Sequence, residues 1–114
     1  MPSVYLPAVP MRFDPLLNIR APVIDVSPAQ HFGELRPLLD LDYNLGNNQF
    51  EEAVEIVCEK LAEFGAEDFI AAVGDPILIA AAVSFVLSRR SSCNVLRWDR
   101  RKKVYHAVKI TLPR

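Results

Sequence analysis

The sequence predicts an α/β fold with a small, mixed and mostly parallel sheet. A βαβαβ core carries a C-terminal antiparallel β-hairpin, and a proline-rich extended arm or hairpin precedes it. The run Phe69–Val73 is apolar at every position, which is typical of a strand buried on both faces of a parallel sheet. An alanine-rich helix over Ile77–Ser88 and a strand over Cys93–Trp98 follow. Because strand, helix and strand occur in this order, we expect a right-handed parallel crossover.

The N-terminal third is rich in proline and predicts extended structure. Val4–Phe13 contains two prolines, which cannot donate to a sheet ladder, so we expect this stretch at a sheet edge or in an arm. Asp14-Pro15 is a turn signal, and Leu17–Val26 can return as the second half of a loose hairpin. Alternatively, residues 1–22 form an arm that lies on a neighbouring copy.

The middle of the chain predicts a short helical turn, a strand and a long helix. In the turn, Ser27 is expected to be the N-cap, and Gly33–Leu39 then reads as a strand. After a polar loop over Asp40–Asn47, Asn48 and Glu51 form a capping box. The helix is expected to run to about Phe64, with Gly65 as its C-terminal cap.

The second helix is apolar almost all round, so we expect most of its surface to be buried. Asp75 is its expected N-cap, and Arg89 and Arg90 lie at its negative end. The last strand, Val104–Leu112, places His106 on its apolar face, and a loop of four or five residues joins it to the strand before. Two long helices leave one sheet face uncovered, so the N-terminal segment or a second subunit must cover it. For this reason we expect a homo-oligomer.

The length of 114 residues predicts one domain, residues 1–114, in which residues 1–26 pack on the core or on a neighbouring subunit. The two cysteines, Cys58 and Cys93, lie among apolar residues without a zinc-binding spacing, so we expect reduced thiols. The N-terminus lacks the features of a signal peptide, and no apolar run is long enough to span a bilayer. We therefore expect a cytoplasmic protein that binds no membrane.

The charges are divided unevenly along the chain. Residues 1–88 hold 13 acidic and 4 basic side chains, whereas residues 89–114 hold 9 basic side chains and one acidic residue, Asp99. This asymmetry favours a basic surface for a polyanion or an acidic partner. It is equally compatible with head-to-tail packing of copies or with a solvated hairpin.

The strongest candidate site is the basic segment 97–105. Its basic side chains can contact phosphates, and its two aromatic side chains can stack on bases or cations. The alternative is that the tryptophan packs into the core or an interface and the loop is merely solvated. The expected partner-binding or nucleic-acid-binding residues are Arg97, Trp98, Arg100, Arg101, Lys102, Lys103 and Tyr105.

A second candidate is the turn Gly74-Asp75-Pro76, which stands between a strand and a helix, where α/β proteins bind ligands. A helix N-terminus there can hold phosphate. However, the turn has one glycine and no P-loop lysine, and Asp75 as a cap would repel phosphate. We interpret Gly74, Asp75 and Pro76 as a structural turn.

Other polar groups predict little chemistry. His31 with Ser27 and Glu34 has the spacing of a nucleophile and base only by coincidence, and His106 is expected to be a satisfied core or interface histidine. Asp40 and Asp42 are better explained by an acidic loop than by a cation site. We expect no metal, no cofactor and no catalytic residue.

Five short segments together carry a resemblance to known proteins. They are Val73-Gly74-Asp75-Pro76, Ala80-Ala81-Ala82, Leu96-Arg97-Trp98-Asp99-Arg100, Asp25-Val26-Ser27-Pro28-Ala29 and Phe32-Gly33-Glu34-Leu35. These segments resemble a class of small, functionally uncharacterised proteins of tailed bacteriophages, many of them from aquatic environments. The resemblance covers most of the chain and has no assigned catalytic residue to carry over. It implies a phage accessory protein made in the bacterial cytoplasm.

These observations favour a non-enzymatic, oligomeric binding module that contacts nucleic acid or an acidic host or phage protein through its basic C-terminal hairpin. The alternative is a small nucleotide- or phosphate-binding protein or enzyme that uses the turn at Gly74. A pocket with converging polar groups would favour this alternative, and a turn sealed by Asp75 would oppose it. A purely structural subunit is the third possibility, and a large apolar symmetric interface would identify it.

Overall fold

The computed structural model describes residues 1–22, 25–40 and 49–113. Over these ranges it confirms a mixed α/β fold with two α-helices and a mostly parallel five-stranded sheet. Its elements are β1 (Ser3–Leu6), β2 (Met11–Asp14), β3 (Ile19–Pro22), a 3-10 helix (Ser27–His31), β4 (Glu34–Pro37), α1 (Phe50–Lys60), β5 (Phe69–Ala71), α2 (Pro76–Arg89), β6 (Ser92–Asp99) and β7 (Val104–Thr111).

The strand order is β4-β1-β5-β6-β7. The first three junctions are parallel and the β6–β7 junction is antiparallel. The connection from β1 to β4 crosses one face through the 3-10 helix, and α1 and α2 carry the chain back across the other face. Because the connections run in opposite directions on opposite faces, all parallel crossovers have the same hand, which is the right hand in nearly all proteins. The chain therefore moves in one direction from β1 to β4 and in the opposite direction to β5 and β6, so the switch point lies between β1 and β5. Sheets of this kind bind ligands at the carboxyl ends of the strands beside the switch point.

The expectation of an edge position is wrong for β1, which lies between β4 and β5. The strand pairs only as far as Leu6, and Pro7 follows it as a fully buried residue. Because Pro7 stands beyond the last ladder position, its missing N–H leaves no ladder partner unpaired. The hairpin prediction is confirmed for the next segment, where β2 and β3 pair as a separate two-stranded sheet around the Asp14-Pro15 turn.

Two apolar clusters lie on opposite faces of the sheet. On the helix-bearing face, α1 and α2 pack on Ile70 and Val95. On the other face, the 3-10 segment, defined as residues 25–32, packs over Leu96 through Ala29 and Phe32. The second face is thus covered in part by residues 26–32 of the same chain.

The helix caps differ from the predictions at two places. Val26 precedes the 3-10 helix, and the backbone N–H of Ser27 donates to the Asp25 carboxylate at 2.9 Å, so Ser27 is not an N-cap. Helix α1 ends at Lys60, and the N–H of Gly65 donates to Asp68 instead of closing this helix. The segment 23–24, the loop beyond Asp40 and the capping box at Asn48 lie outside the described residues.

Helix α2 begins as predicted, because the Asp75 carboxylate accepts from the N–H of Ile77 at 2.8 Å. The expectation that most of its surface is buried is wrong. Only one stripe, Leu78, Ala82 and Val86, is fully buried, and the side chain of Ile77 is 57% exposed. The helix packs on β5 and β6 and on α1, and its remaining side faces solvent.

Near the loop, the buried and exposed faces of β7 are the reverse of those expected from the sequence. Val104 and Val108, which were expected on the apolar face, are exposed, whereas Tyr105 on the opposite face is buried. The helices pack on strands further inside the sheet, while the Tyr105 side is packed against the second apolar cluster. In β7, burial is decided by which segments pack over each face and not by the alternation of apolar residues along the strand.

Candidate functional site: a basic hairpin and an adjoining cleft

The basic loop, defined as Arg100–Lys103, joins β6 to β7 and carries four consecutive cationic side chains, all exposed. Arg97 is also exposed, but alternation along β6 places it on the helix-bearing face with Val95. Trp98 and Tyr105 lie on the opposite face. The structure therefore brings the four loop cations together and separates Arg97 from the aromatic pair.

Asp99 organises this loop. Its carboxylate accepts from the N–H of Arg101 at 2.9 Å and of Lys102 at 3.1 Å, and its backbone carbonyl accepts from the N–H of Lys103 at 2.8 Å. His106 adds a contact of 3.0 Å between its Nε2 and Asp99 Oδ2. The Lys102 N–H first, and His106 next, lower the pKa of Asp99 to about 2. This carboxylate is committed to the turn and to His106.

The loop cations have no carboxylate partner within the described parts of the chain. The ion pairs there are Arg36 with Glu34, at 3.1 Å, and His106 with Asp99. The turn is held by backbone N–H groups, so it does not require the loop side chains. Their charges therefore remain available to solvent and to a partner.

The aromatic residues differ in their exposure. Trp98 and Tyr105 are opposite one another in the β6–β7 ladder, with ring centroids 4.9 Å apart. Tyr105 is 5% exposed, and its burial raises the pKa of its phenol. Trp98 is only half-buried. Tyr105 thus supports the ring of Trp98, and Trp98 is the one of the two that can offer a surface for stacking.

A cleft of about 500 Å³ lies at the carboxyl end of β5, on the side of the sheet opposite the helices. The 3-10 segment forms one wall and the β6–β7 hairpin forms the other. Its lining is mostly apolar, with an acidic and a basic side chain. The lining residues are Asp25, Pro28, Ala72, Val73, Gly74, Trp98, Lys103 and Tyr105.

Sequence reasoning missed Asp25 and Pro28 as members of this site. Asp25 comes close enough to Tyr105 that its charge, after burial, contributes to the raised pKa of that phenol. Its own pKa is lowered, chiefly by the N–H of Ser27. No local pattern marks these two residues, because only the crossover of the 3-10 segment over the sheet brings them to β6 and β7.

The turn at Gly74 is closely packed. Its φ of +93° suits glycine, and a Cβ at this position would overlap the carbonyl oxygen of Ala8, which follows β1. Asp75 occupies the N-terminus of α2 by accepting from the N–H of Ile77, so a negative charge already stands where a phosphate would bind. The structure therefore contains both the feature that favours a ligand-binding turn and the feature that opposes it. A pocket lies beside Gly74, and Asp75 caps the helix end.

The remaining candidates are not assembled into a site. His31 is exposed and packs edge-on against Phe32, and Glu34 pairs with Arg36 instead. The described ranges contain no group of His, Cys, Asp and Glu suited to a metal ion, and Asp42 lies outside them. Cys58 and Cys93 are free thiols, and burial raises the pKa of Cys93 to about 11. Among the described helices, none is long and apolar enough to cross a membrane.

The family model described as "Phage Pam3 gp32-like protein" matches residues 2–112. Neither the curated proteins nor the solved structures contain a significant match.

Proposed function

Because the match spans nearly the whole chain, this protein belongs to the phage Pam3 gp32-like family, and on that premise we propose that it is a non-enzymatic phage accessory protein that binds nucleic acid through its basic loop. It acts in the cytoplasm of the bacterial host. The observation that carries this proposal is the cluster of four exposed cations on a turn whose only carboxylate is already engaged.

The composition of the loop favours nucleic acid over an acidic protein. Every side chain of residues 100–103 is basic, and none offers the apolar anchor on which protein interfaces depend. Phosphate contacts from Lys and Arg supply most of the sequence-independent affinity for nucleic acid. A short, fully cationic loop whose turn is held by backbone hydrogen bonds fits that mode of binding.

Self-association forms the second part of the proposal, with another copy of this chain as the partner. The sequence favoured a homo-oligomer because one sheet face was expected to lack cover. That reason is weakened, because residues 26–32 cover part of this face. A different observation supports it: among the side chains that the structure describes in the β2–β3 hairpin, none belongs to either apolar cluster, and several large apolar ones are exposed. These are Phe13, Leu16, Leu17 and Ile19. Leu16 and Leu17, which are adjacent in the turn and the most exposed of the four, favour an interaction surface at the tip of this hairpin.

The nucleic-acid proposal is tested with a labelled oligonucleotide of about ten nucleotides, titrated at about 50 mM and about 200 mM salt. Contact with about four phosphates, one for each loop cation, predicts affinity about 50-fold weaker at the higher salt. The variant carrying Arg100→Gln, Arg101→Gln and Lys102→Gln should bind at least about 10-fold more weakly at low salt. The turn should persist, because Asp99 bonds backbone groups.

A matched control removes the same charge elsewhere, through Arg12→Gln, Lys60→Gln and Arg90→Gln at three exposed positions. This variant has the same net charge and should bind nearly as well as the unaltered protein. Equal weakening of both variants would assign the effect to net charge instead of the loop. No salt-sensitive complex with either single-stranded or duplex DNA would remove nucleic acid as the partner.

A further inference from the structure

The cleft beside Gly74 has the size and composition of a small-ligand site. Its volume of about 500 Å³ falls within the range typical of ligand pockets, which are mostly apolar with a few placed polar groups. It adjoins the loop through Lys103 and reaches Asp25 on the opposite wall. Binding of nucleic acid by the basic loop alone would leave this cavity without a role.

The arrangement of these groups suits a flat ring that carries an anionic group. The half-buried ring of Trp98, backed by Tyr105 at 4.9 Å, provides a stacking surface. Lys103 offers a cation, and Asp25 offers a carboxylate. A nucleotide combines the matching features, because its base stacks, its phosphate is anionic and its exocyclic amino group donates hydrogen bonds.

We propose that the cleft holds one unpaired nucleobase, stacked on Trp98, with the adjoining phosphate on Lys103 and with Asp25 accepting from a base amino group. This inference rests on the proposed function and makes it specific for single strands. A paired base cannot enter the cleft without leaving its duplex.

The backbone of Lys103 supports this role. Its φ is +55°, as is that of Asn18, and both residues close a turn in which an aspartate accepts from two following N–H groups. Asparagine tolerates this left-handed conformation, whereas lysine adopts it at a cost. The β6–β7 turn therefore carries a residue that is less suited to the left-handed conformation, at the position that lines the cleft. Such a residue is expected where its side chain has a function.

The test uses the intrinsic fluorescence of Trp98, the only tryptophan in the chain. The protein is titrated with a single strand of about ten nucleotides, an abasic strand of equal length and the corresponding duplex. We expect the intact strand to quench Trp98 and to bind about 10-fold more tightly than the abasic strand. The abasic strand and the duplex should bind through the loop without quenching.

Two variants separate the cleft from the loop. Lys103→Asn introduces a residue that tolerates the left-handed backbone but removes the phosphate contact that positions the base, so it should reduce both the quenching and the preference for the intact strand. Lys102→Asn removes the same charge one position away, outside the cleft lining, and should weaken all three ligands similarly. Salt-sensitive binding without quenching or base dependence would overturn this inference and leave the loop proposal intact. If none of the three binds, both proposals fail.

Discussion

At the scale of the residue, Gly74 carries two independent constraints. Its φ of +93° is unfavourable for other residues, and any Cβ would overlap the backbone of Ala8. We predict that Gly74→Ala lowers the free energy of unfolding by at least about 3 kcal/mol, measured by urea denaturation. Gly65→Ala is the control, because its Cβ would meet only Asp68 Oδ2 at 3.5 Å, an ordinary contact. Equal effects of the two substitutions would contradict this explanation.

Lys103 presents the opposite case, in which a substitution should stabilise the protein. We predict that Lys103→Asn raises the free energy of unfolding by about 0.5–1 kcal/mol, because asparagine accepts the φ of +55° more readily. Lys102→Asn should change it by less than about 0.5 kcal/mol. Denaturant midpoints of the two variants provide the measurement. A Lys103→Asn variant less stable than the unaltered protein would contradict the claim of strain.

At the scale of the element, the β6–β7 hairpin depends on an ionised Asp99. The folded pKa of about 2 lies below the ordinary value of 3.8, so this carboxylate stabilises the turn above about pH 4. The contribution is lost as the pH falls from about 4 towards 2. We predict that the amide resonances of Arg101 and Lys102 shift through this window. Asp99→Asn should remove that titration, and persistence of the shift in this variant would assign it to another group.

The two hairpins also show what a local pattern can predict. Asp14 and Asp99 each begin a turn in which the side chain accepts from the second and third N–H groups after it. Such turns follow from aspartate chemistry within a few residues, and both hairpins were therefore predictable. The burial of Tyr105 was not, because it depends on a segment about 80 positions earlier that packs over β7.

At the scale of the whole molecule, the exposed apolar hairpin predicts self-association. The measured mass in solution should exceed the chain mass of 12.8 kDa and should fall towards it in a variant with Leu16→Ser and Leu17→Ser. Ile77→Ser is the matched control, since Ile77 is equally apolar and 57% exposed but lies on α2. An unaltered protein that stays monomeric by light scattering at high concentration would refute the proposal.

The sequence by itself determined the α/β class, the two helices, the interior position of β5 and the antiparallel hairpin, because these follow from apolar runs, capping residues and turn residues that act over short distances. Only the tertiary structure decided that β1 lies inside the sheet and that a cleft forms beside Gly74. The cleft joins Asp25, Gly74 and Lys103, which are far apart in the chain. Such groups meet only after the crossover connections place their segments on one face, and no local pattern encodes that meeting.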